Sequence, residues 1–172
     1  MSTGIISISP DMAALKFAGS WIRKGYVFEA LYVYSDAQGQ TIFWRIRYKH
    51  PGTKHKWIRP MYLGTDGKYY LGEPPEFKSK PKPLYGLHLL AQHSQAMVWI
   101  VEGEKCTDAL NRFFEKLGIS AQHVAITSGS ATSENKADWL PIKERNCRIW
   151  PDNHMEGLAY ARNVKDILRS LP

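Results

Sequence analysis

Alternation of apolar and polar positions dominates the first half of the chain. FEALYVYSDAQGQTIFWRIRYKH (residues 28–50) alternates on both sides of Asp36-Ala37-Gln38-Gly39, a run of turn-forming residues, and so predicts a β-hairpin. KHKWIRPMYL (54–63) predicts a third strand, and GTDGKYYLG (64–72) a turn with a short strand. EPPEFKSKPKP (73–83) is rich in Pro and Lys and reads as a linker. LYGLHLLAQHS then places Leu84, Leu87, Leu90 and Ala91 at helical spacing.

The rhythm changes after this point. AMVWIV (96–101) is a continuous apolar run, as in a strand buried on both faces. TDALNRFFEKLG (107–118) predicts a helix capped by Thr107 and ended by Gly118, with Ala109, Leu110, Phe113, Phe114 and Leu117 as its apolar positions. HVAIT (123–127) and CRIW (147–150) predict two more buried strands, with the polar loop SGSATSENKADW (128–139) between them. GLAYARNVKDILRSL (157–171) predicts a helix whose Leu158, Ala161, Val164, Ile167, Leu168 and Leu171 face a core. Strand, helix, strand, loop, strand, helix implies a parallel α/β sheet flanked by helices. The expected organisation is a smaller β-rich lobe over residues 1–80 followed by an α/β domain over 81–172.

Charge sharpens that division. Residues 1–97 hold 13 Lys/Arg against 6 Asp/Glu, whereas residues 98–172 hold ten of each, so the net +7 lies wholly in the first part. A basic lobe beside a neutral lobe that contains acids suits a polyanion contact on one and chemistry on the other; a merely solvated basic surface reads the same way. In the basic lobe Arg45, Arg47, Lys49, Lys54, Lys56 and Arg59 interleave with Trp44, Tyr48 and Trp57. Alternation puts Arg45, Arg47 and Lys49 on one strand face, with Trp44, Ile46 and Tyr48 on the other. Basic faces with occasional aromatics are a footprint of single-stranded nucleic-acid binding, held through phosphates and weakened by salt. The first 21 residues lack the pattern of a signal peptide, and no run of about 18 apolar residues predicts a membrane span. With only Cys106 and Cys147, a disulfide framework or a four-Cys zinc site is excluded, and a reducing cytoplasm is the expected setting.

The chemistry-bearing residues lie at strand ends. The first α/β strand runs into Glu102-Gly103-Glu104-Lys105 and the third into Asp152-Asn153-His154. Parallel strands end along one edge, where open α/β sheets bind ligands, so Glu102 and Asp152 can converge. Converging oxygens suit a hard divalent cation that in turn holds phosphates; strand-end acids acting only as caps give the same pattern. Gly103 permits close approach of backbone to a ligand, Gly157 lies at the start of a helix whose N-terminus favours anions, and Lys105 is placed to meet a phosphate or to pair with an acid. Ser128, Gly129 and Ser130 form a small-residue loop at the same edge, and Asp108 reads as a cap or as a residue standing behind the ligands instead of as a ligand.

VEGEKCTDAL, TSGSATSENKADW and RIWPDNHMEGLAYARNV, in this order, resemble a TOPRIM domain, the fold shared by bacterial-type (DnaG-like) primases, topoisomerases and some nucleases. The likeness is nearest to the primase part of primase–helicase proteins of phages and mobile elements. It extends to LYGL upstream and to the YVYSDAQGQTIFWRIRY hairpin, covering roughly residues 25–170. Glu102-Gly103 stands for the family's Glu-Gly, and Asp152, Asn153 and Gly157 for its Asp-x-Asp-x-x-Gly. The resemblance implies Glu102 as metal ligand or general acid/base and Asp152 as ligand to Mg²⁺. It also implies RNA primer synthesis from nucleotides on a single-stranded DNA template held by the basic lobe, a bacterial or phage setting, and a helicase domain or partner. His154 stands where the family has its second Asp. Neutral imidazole is a poor ligand for Mg²⁺ and acceptable to Mn²⁺ or Zn²⁺. The sequence ends at Pro172, where family members continue into a further strand. A non-catalytic nucleic-acid-binding module and a TOPRIM nuclease are the alternative expectations.

Overall fold

The computed structural model describes residues 8–172 and has a mixed α/β architecture. One compact unit comprises the described residues up to Val33 together with Ile42–Lys78; the second comprises Tyr34–Thr41 with Ser79–Pro172. The division after Lys78 lies close to the expected boundary at residue 80. The tip of the hairpin, however, belongs to the second unit.

In the first unit β1 (Val27–Ser35), β2 (Thr41–Lys49), β3 (Lys56–Leu63) and β4 (Tyr69–Leu71) form a sheet in that order. β2 and β3 are antiparallel, with Tyr48 opposite Trp57 and Trp44 opposite Met61. Alternation of β2 sends Ile46 and Tyr48 into a core with Trp57, Met61, Ala13, Ala14 and Ala18. Ala13 and Ala14 come from α1 (Pro10–Phe17), a helix that hydropathy alone does not announce, and Ala18 caps its end. Its start does carry a signal: Ser9 accepts from the Met12 N–H at 3.3 Å, and Pro10 opens the first turn. α2 (Gly19–Ile22) follows directly.

The second unit is built on a three-stranded parallel sheet in the order β6-β5-β7, from β5 (Met97–Val101), β6 (His123–Ile126) and β7 (Cys147–Trp150). β5 is central: Val98 lies opposite Val124 and Cys147, and Val101 opposite Trp150. One sheet face, carrying Val98, Ile100, Val124 and Ile126, forms the core with Leu84, Leu90, Trp139, Ile142, Tyr160 and Val164. α3 (Leu87–Gln92) and α5 (Met155–Arg169) supply Leu90, Tyr160 and Val164. On α5 Tyr160 and Val164 are buried and Ile167 and Leu168 partly so, with Leu171 packed beside them beyond the helix end, whereas Leu158, expected to face the core, is exposed. α4 (Glu104–Lys116) begins three residues before the expected start. Gly103 is its cap position, and Thr107 sits inside the first turns with its hydroxyl donating to the Gly103 carbonyl. Of its predicted apolar positions only Phe114 is buried; Phe113 and Leu117 are exposed.

The expected linker is partly structured. Pro75–Lys78 forms a 3₁₀ turn, and Lys82 is paired with the second unit through Lys82 N–H to Lys136 O and Asp138 N–H to Lys82 O, both 2.7 Å. Behind α3, Arg145 donates to the carbonyls of His93 (2.7 Å), Ala96 (3.0 Å) and Leu90 (3.5 Å). This closes the end of a helix whose last carbonyls have no intrahelical donor. Charged donors of this kind contribute about 1.5–3 kcal/mol. Arg145→Met, which keeps the stem and removes the donors, is therefore expected to lower stability by about 2 kcal/mol in urea unfolding. A change below about 0.5 kcal/mol would show that water serves these carbonyls as well.

Candidate metal site at the sheet edge

β5 and β7 are adjacent and in register to their last residues, so Glu102 and Asp152 leave the same edge side by side. Asp152 is followed by a tight step in which the His154 N–H donates to the Asp152 carbonyl at 2.9 Å. His154 then caps α5, its Nδ1 accepting from the Gly157 N–H at 3.0 Å. This turns the other ring nitrogen toward the acids, with Nε2 3.7 Å from Asp152 Oδ2 and 3.9 Å from Glu102 Oε2. Those separations are too long for hydrogen bonds and fall within the span of two ligands across a cation with bonds of about 2.1 Å. One ligand atom from each of Glu102, Asp152 and His154 lies within 4.8 Å of the others. Glu102 is half-buried and the other two are exposed, so the cluster is backed by protein and open in front. Two carboxylate oxygens and an imidazole nitrogen are a sound donor set for a divalent cation.

Gly157 shapes this cradle. It is buried, and a Cβ there would collide with the Asp152 carbonyl oxygen and stand 3.0 Å from both Asp152 N and Glu102 Oε2. Its role is close approach of α5 to the acids. Its N–H donates to His154 Nδ1. The same hydrogen bond bears on metal ligation. With Nδ1 accepting, the neutral ring carries its proton on Nε2. Were a metal held by Nε2, the ring proton would lie on Nδ1, which stands 3.2 Å from Glu156 Oε2 and would then donate instead of accepting from the Gly157 N–H. Glu156, not singled out in the sequence, would then be the carboxylate behind the imidazole, an arrangement that fixes metal-binding histidines.

A Cβ at Gly103 would meet nothing nearer than Gly129 O at 4.0 Å, so the space before it is open. Lys105 is exposed in the first turn of α4. The serine loop is an ordinary turn. Ser133, unremarked in the sequence, organises it by donating to the Ser128 carbonyl at 2.8 Å and accepting from the Ser130 N–H at 2.8 Å. Ser128 Oγ lies 3.0 Å from Tyr160 OH, and Asp138 accepts from the Leu140 N–H as a turn cap.

Two more acids on α4 are held by tyrosines. Tyr34 OH donates to Glu104 at 2.8 Å and Tyr85 OH to Asp108 at 2.8 Å. Burial pushes the Asp108 carboxyl above its usual range, opposed by the Tyr85 hydrogen bond. Asp108 thus lies within α4, held by Tyr85 and outside the group formed by Glu102, Asp152 and His154. Neither tyrosine partnership is visible in the sequence, because each joins residues 23 or more positions apart.

In the first unit Lys54, Lys56 and Arg59 are exposed as expected. The Arg45, Arg47, Lys49 face is only half exposed. Arg47 forms an ion pair with Glu29, and its side chain keeps 13% of its exposure, so this guanidinium is not an open phosphate contact. Phe43, on the same face, is buried against Phe77. No helix among the described residues is long and apolar enough to cross a membrane. Set against protein-family models, curated proteins and solved structures, the chain matches none.

Proposed function

We propose that the chain is a TOPRIM-like, metal-dependent nucleotidyltransferase unit that makes RNA primers on single-stranded DNA, as in the primase part of phage and mobile-element replication proteins. The observation that carries this reading is the meeting of Glu102, Asp152 and His154 at the C-terminal edge of a parallel sheet, with Gly157 leaving room for it. A divalent cation bound there polarises phosphoryl oxygens and neutralises developing charge. Glu102, the least exposed of the three, is the member suited to hold a ligand or accept a proton in a dry setting. Gly103 and Lys105, at the start of a 13-residue helix, offer open backbone and a cation to phosphates. Lys54, Lys56 and Arg59, with Arg45 and Lys49 beside them, offer phosphate contacts to a template strand. With an imidazole in the set, Mn²⁺ is the preferred ion over Mg²⁺.

Calorimetric titration of both ions into wild type, Glu102→Gln and His154→Asp tests this directly, with primer synthesis and single-stranded DNA binding followed on the same samples. Wild type is expected to bind Mn²⁺ more tightly than Mg²⁺, Glu102→Gln to lose at least about tenfold in affinity, and His154→Asp to gain Mg²⁺ binding and Mg²⁺-dependent synthesis. If only His154→Asp takes up metal while all three bind DNA alike, the chain is a nucleic-acid-binding module with a degenerate site. Metal-dependent cleavage of DNA without added nucleotides would instead identify a nuclease.

A further inference from the structure

The second face of the parallel sheet is not covered as the first is. Trp99 and Val101 on β5 and Arg148 and Trp150 on β7 share it, being paired in register. α4 closes one side only, and a groove of about 610 Å³ remains. Its walls are Trp99, Trp150 and Pro151 on the sheet side and Leu110, Phe113 and Phe114 on the helix side. Trp150 keeps 57% of its exposure and Phe113 54%, an unusual outlay of aromatic surface for residues that could have packed inward. The ring of Trp99 is flanked by Trp150, with centroids 5.7 Å apart, and by the Arg148 guanidinium 5.6 Å from its centroid. At its end the groove is lined by Asp152, a member of the metal cluster.

We propose that this groove is the nucleobase subsite of a nucleotide whose phosphates reach the Glu102, Asp152 and His154 cluster. The proposal rests on the metal-site reading above and adds the recognition of the base to it. The occupant follows from the chemistry of the two ends. Planar indole and phenyl faces suit an aromatic ring, through stacking that accepts any base. The other end suits metal-held phosphates. A nucleotide joins these two demands in one small molecule, and the groove volume is that of a small-molecule site. An aliphatic peptide or a lipid chain would satisfy the aromatic walls and leave the charged end unused. Because Trp150 precedes Asp152 by two residues, base and phosphate are read by one short segment.

The test compares ATP with inorganic tripolyphosphate, each titrated in Mn²⁺ into wild type, Trp150→Ala and Trp150→Phe. Trp150→Ala is expected to weaken ATP by about tenfold to a hundredfold, with tripolyphosphate and Mn²⁺ affinities unchanged and Trp150→Phe retaining most of the ATP affinity. Equal loss for ATP and tripolyphosphate, or no loss for either, overturns the proposal. So does a concentration-dependent dimer, seen by light scattering, that Trp150→Ala dissolves while ATP binding stays intact; the groove would then be covered by a second copy. Failure of Mn²⁺ and tripolyphosphate to bind wild type, with ATP binding still lost in Trp150→Ala, sinks the metal reading and leaves the base subsite standing.

Discussion

Truncating Tyr160 to alanine is expected to cost about 3–5 kcal/mol, the cost of removing a large aromatic from a closed core. The ring is fully buried in the principal cluster of the second unit, and its hydroxyl lies 3.0 Å from Ser128 Oγ and donates to the Val101 carbonyl at 3.3 Å. It thus ties α5 to the last residue of β5, next to Glu102, and to the serine loop. Tyr160→Phe separates the two contributions: it keeps the ring and strips the hydroxyl, for an expected loss of about 1–2 kcal/mol from the unpaired carbonyl and serine. Burial also raises the phenol above its ordinary value of 10.0. A folded value above the unfolded one means that the native state holds the proton longer. Stability is then fully present below about pH 10 and falls as pH rises through the folded value. Urea midpoints measured from pH 8 to pH 11 should show that alkaline loss in wild type and a smaller one in Tyr160→Phe. Equal slopes in both would assign the loss to other groups.

Gly157→Ala is expected to be destabilising by about 2 kcal/mol and to abolish the Mn²⁺ binding proposed for the cluster. In an exposed helix the same change would be favourable by about 1 kcal/mol, because glycine is the poorer helix former. Here the added methyl would overlap the Asp152 carbonyl, which is backbone and cannot turn aside, and crowd Glu102. Overpacking of this kind costs about 1–3 kcal/mol, and relief requires α5 to back away from both acids. The His154 cap moves with the helix, so all three ligands lose their mutual geometry. Urea unfolding and Mn²⁺ calorimetry on one preparation decide the matter. A variant more stable than wild type with intact Mn²⁺ binding would show that the close approach is not needed.

Much of this arrangement was legible in the sequence, and the parts that were not share physical causes. Short apolar runs located β5 and β6, the short CRIW segment located β7, and strand-end logic brought Glu102 to Asp152. Periodicity misjudged Phe113 and Leu117, because a shared direction along a helix says nothing of whether anything covers it. The start of α4 was set too late because Glu104, Lys105 and Cys106 are not apolar, yet they lie in the helix behind Gly103. Alternation assigned the faces of β2 correctly, but it cannot see a partner on another strand, and so Arg47 counted as open charge until Glu29 was found beside it. The role of Gly157 depended on a contact with Asp152, five residues away around a turn whose geometry no residue pattern encodes.

The tip of the first hairpin has a consequence for how this chain can be dissected. Tyr34–Thr41 belongs to the second unit, and through Tyr34 it reaches Glu104, 70 positions on, at the start of α4. No single cut therefore releases the second unit whole. A clone that begins at Ser79 would carry the metal cluster but leave the Glu104 carboxylate without that hydroxyl, at the turn that follows Glu102. For recombination the chain is not a pair of exchangeable cassettes. A shuffled parent would have to inherit the hairpin and the parallel sheet together, and with the hairpin the helix whose Ala13 and Ala14 pack into its core.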